Sequence, residues 1–330
     1  MRRREFITLL GGAVVSWPLA AHAQQSKSIR RASVLMSYAE SDAAAQKWAK
    51  AFDDSLQELG WNNGRNIQLD YRWGGPNPDR LRGDAEELVR LNPDVLLAGA
   101  TPAVIALQHA TRSIPIVFAN VADPVGQGMI ASFARPGGNT TGFGGFDFSI
   151  AGKWVQTIKE IAPTVAQIGV IFNPETGPYN ESMLPFVETA SGPLSVKPIP
   201  TVIHDSERIA QTLGKLAEEP NTGLIVLPAA MFSTYREIII TTAAQLRLPT
   251  IYPFSFFAQS GGLLSYGFDV RDLYVRAAGY VDRILHGAKV SDLPAQRPTK
   301  FELVVNLKTA KALGLKISES FLQRADGVIE

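Results

Sequence analysis

The chain contains no cysteine. A disulfide framework, a thiolate nucleophile and a cysteine-ligated metal are thereby excluded, and stability has to come from apolar cores. Histidine is almost as scarce, with 4 in 330 residues. Beyond the N-terminal segment only His109, His204 and His286 remain, each in or beside an expected helix and none paired at metal-ligand spacing, so no metal centre is expected. Neither sign of charge is in excess: 32 basic against 31 acidic residues leave no footprint for nucleic acid or an anionic membrane surface. The sequence also has no G-x-S-x-G nucleophile elbow and no G-x-x-x-x-G-K-[ST] phosphate loop. The stretch "GFGGFD" around Gly144 lacks the third glycine and the strand-to-helix setting of a dinucleotide loop, and Lys153 just after it reads as a solvated helix residue. No catalytic residue and no cofactor are expected.

What is present begins with "MRRREFITLLGGAVVSWPLAAHAQQ". Arg2, Arg3 and Arg4 form a positive region, Phe6 to Ala20 an apolar one, and Ala21-His22-Ala23 a small-x-small cleavage pattern, which together read as an export signal over residues 1–23. The apolar part falls short of the ~20 residues that span a bilayer and carries Pro18, so a permanent anchor is not expected. Arg3-Arg4-Glu5-Phe6-Ile7 resembles a twin-arginine signal, although the residue before the pair is another arginine and the general export route stays open. No cysteine follows the cleavage pattern to take a lipid. Loss of Arg2, Arg3, Arg4 and Glu5 takes 32 basic and 31 acidic residues to 29 and 30. A periplasmic protein, cleaved near Ala23/Gln24, without lipid anchor or stable membrane insertion, is expected.

The roughly 300 remaining residues exceed one ordinary core and suit two domains. Short β-branched runs alternate with helical stretches. "RASVLMS", "NIQLDYRW", "PDVLLAG" and "IPIVFAN" read as strands, separated by helices over Asp42–Leu59, Asp79–Leu91 and "TPAVIALQHA", the last with Thr101 as N-cap and Pro102 at its first position. The order then repeats. "AQIGVIFNP", "LSVKPIPTV", "TGLIVLP" and "LPTIYP" read as strands, and Tyr179–Ala190, Asp205–Glu218 and Ser233–Leu246 as helices. Ser33 to Gln167 and Pro115 to Pro249 are both steps of 134 residues. The expected fold class is α/β, with two doubly wound, parallel-sheet, Rossmann-like lobes joined by a hinge. Lobe 1 is expected over 31–142 and lobe 2 over 143–261. A segment over 262–290 is expected to return to lobe 1, and a C-terminal one over 291–330 to lobe 2. The glycine-rich "RPGGNTTGFGGFDFS" between the lobes suggests Gly142, Gly144 and Gly145 as hinge positions.

Ligands of such sheets bind at the carboxyl ends of the strands, where helix N-termini face a crevice. That rule selects Ser37, Tyr38, Thr101, Asn120 and Asp123 from the first lobe, and Phe172, Asn173, Met231, Phe232 and Phe254 from the second. Three of these carry structural alternatives. Asp123 in "VADPVG" either meets a ligand amine or hydroxyl or caps the following turn, Thr101 is either a ligand donor or only an N-cap, and Asn173 in "IFNP" either faces the solute or starts an Asn-Pro turn. Of the aromatic residues, one or two are expected to line the cleft and the rest to enter the core.

The signal "RRREFITLLGG", the segment "IPIVFANVADPVGQGMIASFARPGGNTTGF", the stretch "GGLLSYG" and the tail "PTKFELVVNLKTAKALGL" resemble the solute-binding proteins of ABC transporters, specifically the family that includes tryptophan-binding TrpX-like proteins. The resemblance runs the length of the chain. It implies a type I periplasmic-binding-protein fold, three crossings between lobes, and capture of a small solute for a membrane permease and its ATPase. Hydroxyls, helix amides and aromatic residues at the strand ends favour an amino acid or an aromatic or organic acid over a sugar, held by a monomer through hinge closure. A periplasmic sensor that reports its ligand to a receptor, and a hydrolase, are the alternatives. A repressor with the same lobes would need an N-terminal DNA-binding unit, where this chain has its signal.

One outcome tests the export reading directly: N-terminal sequencing of protein from the periplasmic fraction is expected to start at or near Gln24. An uncut N-terminus in washed membranes would contradict it.

Overall fold

The computed structural model describes residues 29–330, so the signal segment and its cleavage pattern lie outside the described residues. Five strands build a first sheet: β1 (Arg30–Met36), β2 (Ile67–Trp73), β3 (Val95–Gly99), β4 (Ile116–Val121) and β5 (Thr140–Gly144). All pair in parallel, in the order β2-β1-β3-β4-β5. Seven more form a second sheet: β6 (Gln167–Phe172), β7 (Lys197–Val202), β8 (Thr222–Val226), β9 (Thr250–Tyr252), β10 (Leu264–Phe268), β11 (Phe301–Asn306) and β12 (Gly327–Ile329). Its order is β12-β11-β10-β9-β8-β6-β7, with β10 and β11 antiparallel. The first five strands of each half therefore share one winding, which is what the 134-residue step reflects.

The strand sequences explain the layering. Every residue of β3, β4 and β8 is buried, as strands covered by helices on both faces must be. The strand β7 contains Pro198 and Pro200, and it is tolerated because it is an edge strand bonded only to β6.

The chain passes between the sheets three times. It leaves β5 through Gly145–Ser149 into helix Ile150–Ile161, whose Trp154 indole donates to Tyr266 O in the second sheet at 2.7 Å. It leaves β10 at Asp269 into helix Val270–Leu285, which packs on the first sheet and on helix Ala43–Glu58. It returns after Gln296, which exchanges backbone bonds with Gly142 and Gly144 at 2.9 Å, to enter β11. The last two crossings run side by side, joined by Asp269 N to Lys300 O at 3.1 Å.

Two details differ from the sequence-based expectation. Leu264–Phe268, expected inside a return to lobe 1, pairs with β9 and β11, and only the helix after it crosses. Gly142 and Gly144 lie within β5, in the first sheet, and not in a hinge. They are needed there because β5 runs very close to β4: a Cβ on Gly142 would stand 2.2 Å from Phe118 O, and one on Gly144 2.2 Å from Val121 O. Gly145 is the residue at which the chain leaves the sheet, and its φ of +98° suits glycine. Gly142→Val is therefore expected to destabilise the first lobe by about 1–3 kcal/mol through overpacking, visible as a lowered thermal midpoint. An unchanged midpoint would refute this assignment.

Candidate binding cleft

The carboxyl ends of the two sheets face each other. Ser37 and Tyr38 follow β1, Thr101 follows β3, and Asn120 ends β4. All four are buried. Asn120 Nδ2 donates to the Tyr38 hydroxyl at 2.8 Å, which ties the ends of β1 and β4 together. Burial pushes the Tyr38 phenol well above its usual range, against the lowering effect of the Asn120 bond, so it stays neutral. Tyr179 of the second lobe is raised in the same way, first by burial and then by Tyr38.

Two backbone positions here are strained. Asn120 has φ +61°, which asparagine tolerates. Ala100 has φ 76° and ψ 165°, a region that is essentially glycine-only and is found mainly where function requires it. Ala100 stands as N-cap of helix Thr101–Ala110, whose first turn has no side-chain cap. Thr101 is thus inside the helix and not its cap, which removes the structural alternative considered for it. On the neighbouring strand end, Ser37 Oγ is buried without a hydrogen-bond partner in the protein. An uncapped helix start beside an unpartnered hydroxyl is an arrangement that accepts a carboxylate.

The second lobe supplies a wall of different character. Asn173 after β6 is buried and fully engaged: Nδ2 donates to Glu175 Oε2 at 2.8 Å and to Ile203 O at 2.9 Å, while Oδ1 accepts from Thr176 N at 2.7 Å and Thr176 Oγ1 at 2.5 Å. Thr176 Oγ1 in turn accepts from Met231 N at 3.3 Å. Asn173 therefore organises its own loop, and its amide has little capacity left for a solute. Asn180 is the opposite case, because both polar atoms of its buried amide lack a protein partner. It packs against Gly177 beside the end of β8, next to Tyr179, whose hydroxyl donates to Pro228 O at 2.8 Å.

The remaining candidates separate. Asp123 Oδ1 accepts from Gly126 N at 2.9 Å and its carbonyl from Gln127 N at 3.1 Å, so the structure uses it as a turn cap. Phe172 and Phe232 are buried within the apolar core. Phe254 joins Phe146 of the first crossing and Phe268 at the end of β10 in one aromatic cluster, with centroids 4.7–6.0 Å apart. Asn173 and Met231 line an open groove of about 540 Å³, which runs between Pro76–Asp79 of the first lobe and Glu175, Thr176, His204–Glu207 and Tyr235 of the second. Its rim is acidic, with Asp79, Glu175, Asp205 and Glu207, and His204 Nδ1 lies 2.6 Å from Glu175 Oε1. Among the described residues, no group of three or more His, Asp or Glu side chains is placed to hold a metal ion.

Sequence reasoning missed Ala100, Thr176, Asn180 and the pair Asp42–Arg236, which joins the two lobes. An N-cap signature marks Asp42 in the sequence, and a single arginine ahead of "EIIITT" marks Arg236, but nothing in the sequence pairs them.

A family model described as ABC transporter substrate binding protein matches residues 34–329. The chain belongs to that family. A tyrosine-binding protein of Clostridioides difficile (strain R20291) is 27% identical to this binding protein over 277 residues, which cover 82% of the chain and 77% of the relative. The crystal structure of a conserved domain protein from Vibrio cholerae matches with a TM-score of 0.84 at 30% identity, covering 91% of this chain and 99% of that one. An ABC domain from Streptococcus pneumonia in complex with L-Trp matches with a TM-score of 0.83 at 24% identity, covering 92% and 100%. The type I periplasmic-binding-protein fold and the TrpX-like resemblance expected from the sequence both hold.

The bonding around Asn173 has a measurable consequence. Asn173→Ala is expected to lower stability by about 1–3 kcal/mol, because it strands buried partners in the Thr176 and Ile203 segments. Urea unfolding checks this, and a midpoint equal to that of the parent would show that the bonds carry no net stability.

Proposed function

We propose that this substrate-binding protein captures an amino acid with an aromatic side chain between its lobes and delivers it to an ABC permease. The observation that carries the reading is the uncapped start of helix Thr101–Ala110, held by the strained Ala100 next to the unpartnered Ser37 hydroxyl. A solute carboxylate fits there, taking the helix amides and the hydroxyl as donors. The acidic rim of Asp79, Glu175, Asp205 and Glu207 favours the ammonium end of a zwitterion and disfavours simple anions. Neutral Tyr38 and Tyr179 and the Phe146–Phe254–Phe268 cluster offer a ring edges and faces to pack against. The tyrosine-binding relative and the L-Trp complex support the same ligand class.

In this reading the signal over residues 1–23 exports a monomer to the periplasm. The lobes, one built on β1–β5 and the other on β6–β12, close on the solute about the crossings at Gly145, Asp269 and after Gln296. The ligand favours the closed form because only that form lets both lobes touch it. No helix among the described residues is long and apolar enough to cross a membrane.

Calorimetry with L-tyrosine, L-tryptophan, L-phenylalanine, glucose and ribose tests the reading. Micromolar binding of at least one aromatic amino acid is expected, and Ser37→Ala is expected to weaken it about tenfold or more, as loss of a hydrogen bond to a charged group does. Stabilisation by the sugars alone would overturn the ligand class.

A further inference from the structure

The two lobes are joined by a buried ion pair whose neighbours Trp48 and Phe256 pack on Tyr38 and Phe254 of the proposed site. Asp42 caps helix Ala43–Glu58, its Oδ1 accepting from Ala44 N and Ala45 N at 2.9 Å each, and its Oδ2 meets Arg236 Nη1. Arg236 opens helix Arg236–Gln245 of the second lobe. Nη1 also donates to Ser233 O at 2.8 Å, Nε donates to Ser260 Oγ at 3.3 Å, and the guanidinium lies 5.6 Å from the Phe256 ring centroid. Phe256 in turn meets Trp48 of the first lobe edge-on at 5.3 Å. The side chains of Asp42 and Arg236 are 4% and 10% exposed, so both charges are withdrawn from water as long as the lobes stand together.

A pair of this kind has an asymmetric effect. Intact, it contributes little net stability, because desolvation offsets the attraction. With one member gone, the other is a buried, uncompensated charge, and the arrangement that buries it becomes strongly unfavourable. Since Asp42 and Arg236 belong to different lobes, that penalty falls on the closed arrangement and not on the fold of either lobe.

We propose that Asp42 and Arg236 form the latch of the closed binding protein, with Arg236 a positioning residue that sets how long a solute is held without touching it. The inference rests on the proposed closure on an amino acid and adds a determinant of its dissociation rate. Helix Ala43–Glu58 stays capped in Asp42→Asn, because the asparagine oxygen accepts from the same amides, while its NH2 replaces the charged acceptor of Arg236. Arg236→Met removes the other charge and keeps a long straight side chain.

Stopped-flow binding of the aromatic amino acid that binds the parent, measured on Asp42→Asn, Arg236→Met and the double variant, tests the latch. Each single variant is expected to weaken binding at least about tenfold, through faster dissociation with association nearly unchanged. The double variant is expected to recover most of that loss, since no charge is then stranded. Parent-like dissociation in both single variants, or a double variant as weak as the two losses combined, would overturn the proposal. A second readout needs no solute. Because the chain has no cysteine, spin labels can be placed only at Lys47→Cys and Gln259→Cys, two exposed residues that line one groove of about 360 Å³ from opposite lobes. Their distance distribution is expected to shift to longer values in each single variant and back in the double one. Identical distributions in all four proteins would refute the latch. Failure of the parent to bind any amino acid would remove the ligand class while the distance measurement still decides the latch.

Discussion

The structure depends on one constraint: two parallel sheets meet at the ends where each leaves polar backbone exposed. A parallel strand delivers its chain to the start of the following helix at its carboxyl end, and the first amides of that helix have no intrahelical acceptor. Asp42, Asn77 and Asp269 satisfy such starts with side chains, whereas helices Ile150–Ile161, Ile209–Ala217 and Arg236–Gln245 have no side-chain cap. Helix Thr101–Ala110 is left without one, and its approach is fixed by Ala100 in a backbone region alanine rarely enters. Strain and a missing cap at the same turn, beside the buried and unpartnered Ser37 hydroxyl, agree with a site shaped for a partner from outside the chain.

The proposed closure is then a balance of identifiable effects. The Trp48–Phe256 contact across the lobes favours it through apolar burial and ring geometry. Withdrawing Asp42 and Arg236 from water is close to neutral while both are present. Ser37 Oγ and the Asn180 amide stand buried without partners, at a cost of about 1–3 kcal/mol for each group left unsatisfied. In the proposed mechanism the solute supplies those partners, so its interaction with the closed form exceeds that with the open form by the amount needed to shift the population.

Much of the scaffold was legible because strand and helix periods differ. The apolar runs from "RASVLM" to "TGLIV" and the 134-residue step announced two similar windings, and both sheets share that strand order. The strand β5 was hidden because "TTGFG" sits among glycines that composition assigns to a flexible crossing. The glycines are instead dictated by a neighbour 24 residues earlier in the chain, since Gly142 faces Phe118. The strand-end rule found Ser37, Tyr38, Thr101 and Asn120, which the structure brings to one end of the first sheet. It could not rank Asn173 or Asp123, whose side chains are engaged within their own turns, because those bonds form only when the loops fold. The Asp42–Arg236 pair spans 194 positions, a distance at which a sequence carries no pairing signal.

The distribution of charge bears on how a zwitterion can be held in a site this buried. A fully buried lone charge is prohibitive, yet Ser37, Tyr38, Thr101, Asn120 and Asn180 are all uncharged. In the proposed site the carboxylate end would be met by partial charges that belong to the backbone, and these have nothing to lose when the site empties. The ammonium end would be met at the rim of that proposed site, where Glu175 is half exposed and water remains within reach. Apart from the mutually paired Asp42 and Arg236, the charged groups at the groove sit where solvent can share them, and the neutral phenols of Tyr38 and Tyr179 take the interior, where burial keeps them protonated. A sugar has no charge to place at either end and would leave the uncapped helix start without the anion that best complements it. Discrimination in the proposed site thus follows from where the chain omits charged side chains as much as from where it places them.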